Sequence, residues 1–219
     1  LFLHHISNAK LKMTMNENIY GALLGASGVG KTSILARMDN QEFKDQTSTA
    51  SASTYIFDFQ HDFKSYQLHI TDTAGQEEYE SITSSYLRGK QIFLFVTSVD
   101  ELLSGKEIRI PKFMQMAIDA NDSFVPIFVI NKIDKSPEKE KELQQKLHEI
   151  LLESNLDQWI PQKSEDIWVI SCKTRKNLDD CINYIQQKSA EFILSHPPDP
   201  LPPSVSIQEK STKNEGCNC

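Results

Sequence analysis

No apolar run in this chain of 219 residues approaches the roughly 20 that a membrane-spanning helix requires. Cysteine is scarce. Four thiols argue for reduced cysteines rather than a disulfide framework, and Cys172 and Cys181 are expected in or near the core. No Cys/His spacing has the form of a zinc site. Positive charge is not in excess either: 23 Lys and Arg stand against 30 Asp and Glu, a net charge of −7. That balance argues against nucleic acid as the main partner, because phosphate backbones attract cationic surfaces. What remains, 39% hydrophobic residues in a chain of this length, is enough for one domain with a sizeable core, plus tails.

The chemistry begins at Gly25-Ala26-Ser27-Gly28-Val29-Gly30-Lys31-Thr32, which fits the phosphate-binding pattern G-x-x-x-x-G-K-[ST]. It follows an apolar run, Ile19 to Leu24, and precedes a helix-like stretch, Thr32 to Met38. Glycines let the backbone curl so that successive N–H groups point at phosphate oxygens. The new helix adds its positive end to the same anion. The cradle is expected to comprise Ser27, Gly28, Val29, Gly30, Lys31, Thr32 and Ser33, with Lys31 reaching the β- and γ-phosphates and the Thr32 hydroxyl ligating Mg2+. A Gly-rich turn matches this pattern by accident in roughly one chain in a hundred, at average glycine usage of about 7%.

Three later segments narrow the ligand. Asp72-Thr73-Ala74-Gly75-Gln76 follows the strand-like run 66–71. An acid at a strand end facing the loop suits Mg2+, Gly75 lets its N–H approach the γ-phosphate, and Gln76 can orient attacking water. The alternative is an ordinary Asp-Thr turn. Asn131-Lys132-Ile133-Asp134 follows the buried-strand run 127–130. The Asp134 carboxylate can accept two hydrogen bonds from a guanine base, a donor pair adenine lacks. Asn131 would tie this loop to the phosphate loop, and the Lys132 stem would cover one face of the base. A charged strand-end loop would use the same residues. Ser171-Cys172-Lys173, after the strand 167–170, offers a backbone N–H at Cys172 to the guanine O6.

From Asn18 to Leu194 these motifs resemble a small GTPase of the Ras superfamily, and most closely the Rab branch. The Rab likeness rests on Asp72 to Glu77 running into Ile82-Thr83-Ser84-Ser85-Tyr86-Leu87-Arg88-Gly89, and on the closing Gly216-Cys217-Asn218-Cys219. The resemblance implies a P-loop NTPase G domain of α/β class: a six-stranded, mostly parallel sheet with one antiparallel edge strand and helices on both faces. It assigns Phe43, twelve residues after Lys31, to stacking on guanine, although Phe43 would equally serve as a core aromatic under a loop. It implies GTP and GDP as ligands with Mg2+, held by Thr32, Asp72 and a switch threonine. Gln76 and Lys31 take the catalytic roles. It further implies an exchange factor, an activating protein, effectors and a lipid-escort protein as partners of a monomer. The place of action is the cytoplasmic face of an intracellular membrane, in exchange with the cytosol.

The pattern along the chain agrees with that architecture. Strands are expected at 19–24, 53–60, 65–71, 92–97, 127–130 and 167–170, with a turn near His61-Asp62 that makes the second and third antiparallel. Gly21 should weaken packing in the first strand. Helices are expected at about 31–38, 106–120 and 178–195. Another is capped by Ser136 with Pro137 in its first turn, and lines one face with Leu143, Leu147, Ile150 and Leu151. In the last helix Ile182, Ile185 and Phe192 should face inward. Such sheets bind ligands at the carboxyl ends of their strands, where all four motifs fall.

Three regions depart from a plain domain. Residues 1–17 read as an N-terminal extension, and Met13 or Met15 would leave a leader of ordinary length for the family. The region 18–195 is the domain itself. From His196 to Cys219 the chain becomes a Pro-rich tail of charge −1. If extended at ~3.1 Å per residue it reaches up to roughly 70 Å. Because one lipid chain anchors only marginally, stable attachment needs both Cys217 and Cys219 modified; a tail with two free thiols, or weak metal capture, is the alternative. Where the family has a threonine followed by Ile-Gly-x-x-Phe, this chain offers Thr47 to Ser53, and the Gly is missing. Thr49 is taken as the switch threonine, with Thr47 as alternative. Thr71 stands where the family has a bulky Trp or Leu, and Ser27 where Ras proteins have Gly. The altered loop leaves open a second function: a binding module that holds GTP constitutively, with little hydrolysis or switching.

Overall fold

The computed structural model describes residues 17–44, 53–72 and 84–197. In chain order the elements are β1 (Glu17–Leu24), α1 (Lys31–Met38), β2 (Ser53–His61), β3 (Lys64–Asp72), α2 (Ser84–Leu87) and β4 (Ile92–Ser98). After these come α3 (Val99–Leu103), α4 (Ile110–Ala120), β5 (Val125–Asn131), α5 (Glu140–Leu152), β6 (Trp168–Val169) and α6 (Leu178–Ser195). The strands form one six-stranded sheet in the order β2-β3-β1-β4-β5-β6. Among the described residues only the β2–β3 pair is antiparallel.

Period-two alternation divides the core between the two faces of the sheet. Along β4, Ile92, Leu94 and Val96 join a cluster with Ile34, Leu35 and Met38 of α1 and Leu178, Cys181 and Ile185 of α6. Phe93 and Phe95 join the other, with Leu87 of α2, Val99 of α3, Phe113 of α4 and Leu143 of α5. A strand covered on both faces has no position for a polar residue until its end, and β4 is buried throughout. The edge strand β2 instead alternates, with Phe57 and Phe59 buried and Asp58 and Gln60 exposed.

Local chemistry explains where elements begin and end. The β2–β3 connection is a two-residue turn at Asp62 and Phe63, one residue beyond the expected position, with φ of 46° and 63°. Both angles are left-handed, as the twist of a tight hairpin requires. Gly21 pairs with Ile92, and a Cβ there would stand 3.0 Å from the Ile92 carbonyl oxygen. The residue therefore marks a close approach of β1 and β4, not a slack point. The helix expected from 106 starts at Ile110, because Pro111 sits in its first turn and Gly105, at φ 70°, ends the chain's previous turn. Ahead of it lies α3, which the periodicity did not suggest; the Ser98 hydroxyl caps it by accepting from the Glu101 N–H.

Two further expectations are corrected. Ser136 makes no side-chain cap: Pro137–Lys139 form a 3-10 turn first, closed by the Lys139 N–H on the Ser136 carbonyl, and the α-helix opens only at Glu140. Its buried face is Leu143, Leu147 and Leu151, with Ile150 partly buried beside them. In α6 the inward face is Leu178, Cys181, Ile185, Ser189, Ala190 and Ile193; Ile182 and Phe192 are only partly buried at its margins. Among the described residues no helix is long and apolar enough to cross a membrane.

Candidate functional site

Because β1, β3, β4, β5 and β6 run parallel, their carboxyl ends share one edge of the sheet. The segments that follow them meet there. The loop after β1 curls through Gly25, Gly28 and Gly30 into α1, and two of these glycines are sterically required. At Gly25 a Cβ would stand 2.0 Å from the Val96 carbonyl oxygen; at Gly30, with φ 101°, it would stand 2.3 Å from Asn131 Nδ2. Ser27 and Gly28 are exposed at the crest, Val29 is buried beneath it, and Ser33 is partly covered. Lys31 is 5% exposed, and its Nζ donates to the carbonyls of Gly25 (2.7 Å) and Ala26 (3.0 Å). Its ammonium therefore lies inside the curl of the loop.

Thr32, one residue on, donates its hydroxyl to Asp72 Oδ2 at 2.6 Å. Asp72 is fully buried at the end of β3. These are hard oxygen donors set against an anion-shaped loop. Mg2+ favours this donor class, since it takes one or two protein oxygens and completes its shell with phosphate and water. The pair fits that ion, and no group of three or more His, Cys, Asp or Glu suited to a metal occurs among the described residues.

On the other side Asn131 joins three loops through one side chain. Its Nδ2 donates to the Val29 carbonyl (3.1 Å), while Oδ1 accepts from the N–H of Lys132 (2.7 Å) and of Cys172 (3.3 Å). Lys132 has φ 68°, which turns its side chain back over the phosphate loop, where Nζ donates to the Gly28 carbonyl at 2.6 Å. Ser171, fully buried, donates its hydroxyl to Asp134 Oδ1 (2.6 Å) and accepts from the Thr174 N–H (3.1 Å). Burial pushes the Cys172 thiol up to about 12, against a hydrogen bond with Asn131 that pulls it down. The thiol is therefore a neutral packing group beneath the loop. Lys173 is exposed beside it.

Phe43 lies past the end of α1, partly buried against the cluster that α1 and α6 share. The sequence did not single out Asp100. This first-turn acid of α3 accepts from Lys135 Nζ (2.5 Å) and Lys132 Nζ (3.4 Å). The only signal was an acidic residue soon after a buried strand. Thr47, Thr49, Gly75, Gln76, Cys217 and Cys219 lie outside the described residues, as do most of the expected extension and tail.

The sequence likenesses agree with this geometry. A family model described as the Ras family matches residues 21–190. The Ras-related protein RABG3e of Arabidopsis thaliana is 28% identical over 205 residues, covering 90% of this chain and 94% of the relative. Rab7 of Prunus armeniaca is 26% identical over 207 residues, again 90% and 94%. Rab-20 of Mus musculus is 32% identical over 120 residues, 55% of this chain and 49% of that protein. The chain belongs to the Ras family, the guanine-nucleotide-binding small GTPases, and within that superfamily it is most like the Rab branch.

Proposed function

We propose that the chain is a Rab-type molecular switch, which binds GTP, hydrolyses it slowly, and acts in membrane trafficking through effectors that recognise the GTP-bound form. The observation that carries the reading is the Asn131 side chain, which binds the phosphate loop, the Asp134 loop and the Cys172 loop together. A ligand spanning these loops would meet phosphate donors at one end and a carboxylate acceptor at the other, as a guanine nucleotide demands.

In that role the amides of Ser27 to Thr32, with Ser33, receive the phosphates. Lys31 exchanges its loop carbonyls for the β- and γ-oxygens. Thr32 and Asp72 hold Mg2+, with Thr49 (or Thr47) as the switch ligand. When bound, the ion neutralises charge developing on the phosphates. Asp134 accepts from the base, the Cys172 N–H turns to its carbonyl oxygen, and Phe43 and the Lys132 stem flank its ring. Gln76 orients the attacking water while Gly75 senses the γ-phosphate. An activating protein supplying an arginine would add on the order of 10^3–10^5 in rate. The tail carries lipid at Cys217 and Cys219, recognised by an escort protein, and an exchange factor reloads the domain on its membrane.

Single-turnover hydrolysis of GTP with Mg2+, comparing the chain with Gln76→Leu, tests this. Slow turnover abolished by the substitution is the expected result. Tight GTP binding with no turnover in either protein would overturn the switch and leave a constitutively loaded binding module.

A further inference from the structure

The carboxyl end of β4 contributes no motif to the site, yet the element that follows it reaches the phosphate loop through one lysine, Lys132. Ser98, the last residue of β4, pairs in register with Asn131. It also caps α3, so the helix starts at a fixed point beside the guanine-side loop. The Thr97 hydroxyl donates to Glu101 Oε2 at 2.7 Å and fixes the same turn from below. Asp100 is thereby held on the first turn, where its carboxylate accepts from Lys135 at 2.5 Å and from Lys132 at 3.4 Å. The Lys135 hydrogen bond, with Lys132 adding to it, keeps the Asp100 carboxyl below its ordinary value, so it is anionic at neutral pH. Lys132 is the residue whose Nζ also binds the Gly28 carbonyl at 2.6 Å.

We propose that Asp100 is a positioning residue for nucleotide retention: it holds Lys132 across the crest of the phosphate loop, so that Gly28 cannot lift and release the ligand. The assignment rests on the guanine-nucleotide reading above. Lys132 carries a long, flexible stem, and a neutral partner would leave its ammonium free to leave the carbonyl for water. A carboxylate shared with Lys135 biases it toward the loop by charge. Because the three groups are partly exposed, the bias is modest and is screened by salt. The loop crest thus becomes tied to three strand ends, those of β1, β4 and β5.

The test is release of a fluorescent GDP analogue from the full chain, chased with unlabelled GDP, at low and high ionic strength. Asp100→Asn is expected to speed release about two- to fivefold at about 0.01 M salt, the size an exposed ion pair supports. The gap should close near 1 M, where the screening length falls from about 30 Å to about 3 Å. Asp100→Glu, which keeps the charge, should stay near the parent rate. A purely structural role would not produce that salt dependence or that rescue. Equal release from the parent and Asp100→Asn at low salt would overturn the assignment while leaving nucleotide binding intact. Failure of the parent chain to retain the analogue at all would instead overturn the guanine-nucleotide reading, and this assignment with it.

Discussion

The two halves of the site are held together by opposite means. At the ends of β5 and β6 the polar groups satisfy one another: Asn131 on Lys132, Cys172 and Val29, and Ser171 on Asp134 and Thr174. At the ends of β1 and β3 the charged groups rest on partners that phosphate and Mg2+ would take over, with Lys31 on loop carbonyls and Thr32 on Asp72. In the proposed complex the base side keeps this framework apart from the Cys172 N–H, which would turn to the base. In the same complex the phosphate side would trade one set of partners for another. Preorganisation lowers the cost of binding, so the base side is suited to affinity and selectivity. The phosphate side is suited to reporting which phosphates are present.

The sharpest way to break this contrast is at the joint between the halves. Gly30→Ala places a methyl 2.3 Å from Asn131 Nδ2 at φ 101°. The strain and the clash together should cost about 2–4 kcal/mol of stability. Both halves should fail at once, visible as a lower urea midpoint and loss of GDP retention. Asp134→Asn should separate them: stability changes little, since Asp134 is partly exposed, while the GDP dissociation constant rises about 10- to 100-fold. Calorimetric titration with GDP and with inorganic pyrophosphate checks it. Pyrophosphate affinity should be unaltered, and a parallel loss of both would remove the distinction between the halves.

The same contrast explains how much of the molecule was legible in the chain. The positions of Lys31, Thr32, Asp72, Asn131 and Asp134 were readable because each ends or follows a run, apolar for β1 and β5 and alternating for β3, that reads as a strand, and parallel strands bring their ends together. Strand β6 was readable in position but not in length: only Trp168 and Val169 pair with β5. Ser136 has a side chain suited to capping, yet the local 3-10 turn at Pro137 wins and the Ser136 hydroxyl makes no cap. Asp100 was illegible for a different reason. Its role depends on where Lys132 and Lys135 lie after folding, a contact across more than thirty residues that no local pattern encodes. Glycine at 21 misled because a strand glycine signals either slack or close approach, and only the neighbouring Ile92 decides between them.

A smaller effect probes the packing beneath the base side. Burial pushes the thiols of Cys172 and Cys181 up to about 12 from an ordinary 9.0, so the folded protein keeps protons that the unfolded chain loses. Stability from these groups is fully present below about pH 9 and is lost as pH rises toward 12. Between pH 8 and pH 10 each thiol should cost about 1.4 kcal/mol. Urea unfolding of the parent and of Cys172→Ala at the two pH values measures the share of the base-side thiol. An unchanged pH slope in the variant would mean that the loop over Cys172 opens to solvent, contrary to that framework.

The finest test concerns a single hydrogen bond that belongs wholly to the base side. Ser171 is fully buried and aims its hydroxyl at Asp134 Oδ1, which leaves the other carboxylate oxygen and the remaining lone pairs for the base. Ser171→Ala removes one of the bonds that orient the carboxylate and also leaves the Thr174 N–H without that acceptor. A bond of this kind contributes about 1 kcal/mol net, so GDP should bind roughly fivefold more weakly. Selectivity carries more information than affinity here. If Ser171 acts by fixing the rotamer of Asp134, the variant should lose part of its preference for GDP over inosine diphosphate, which lacks the 2-amino donor, because a loosened carboxylate gains less from the second donor. Equal weakening toward both nucleotides would show that Ser171 supports the loop as a whole and does not aim the side chain within it.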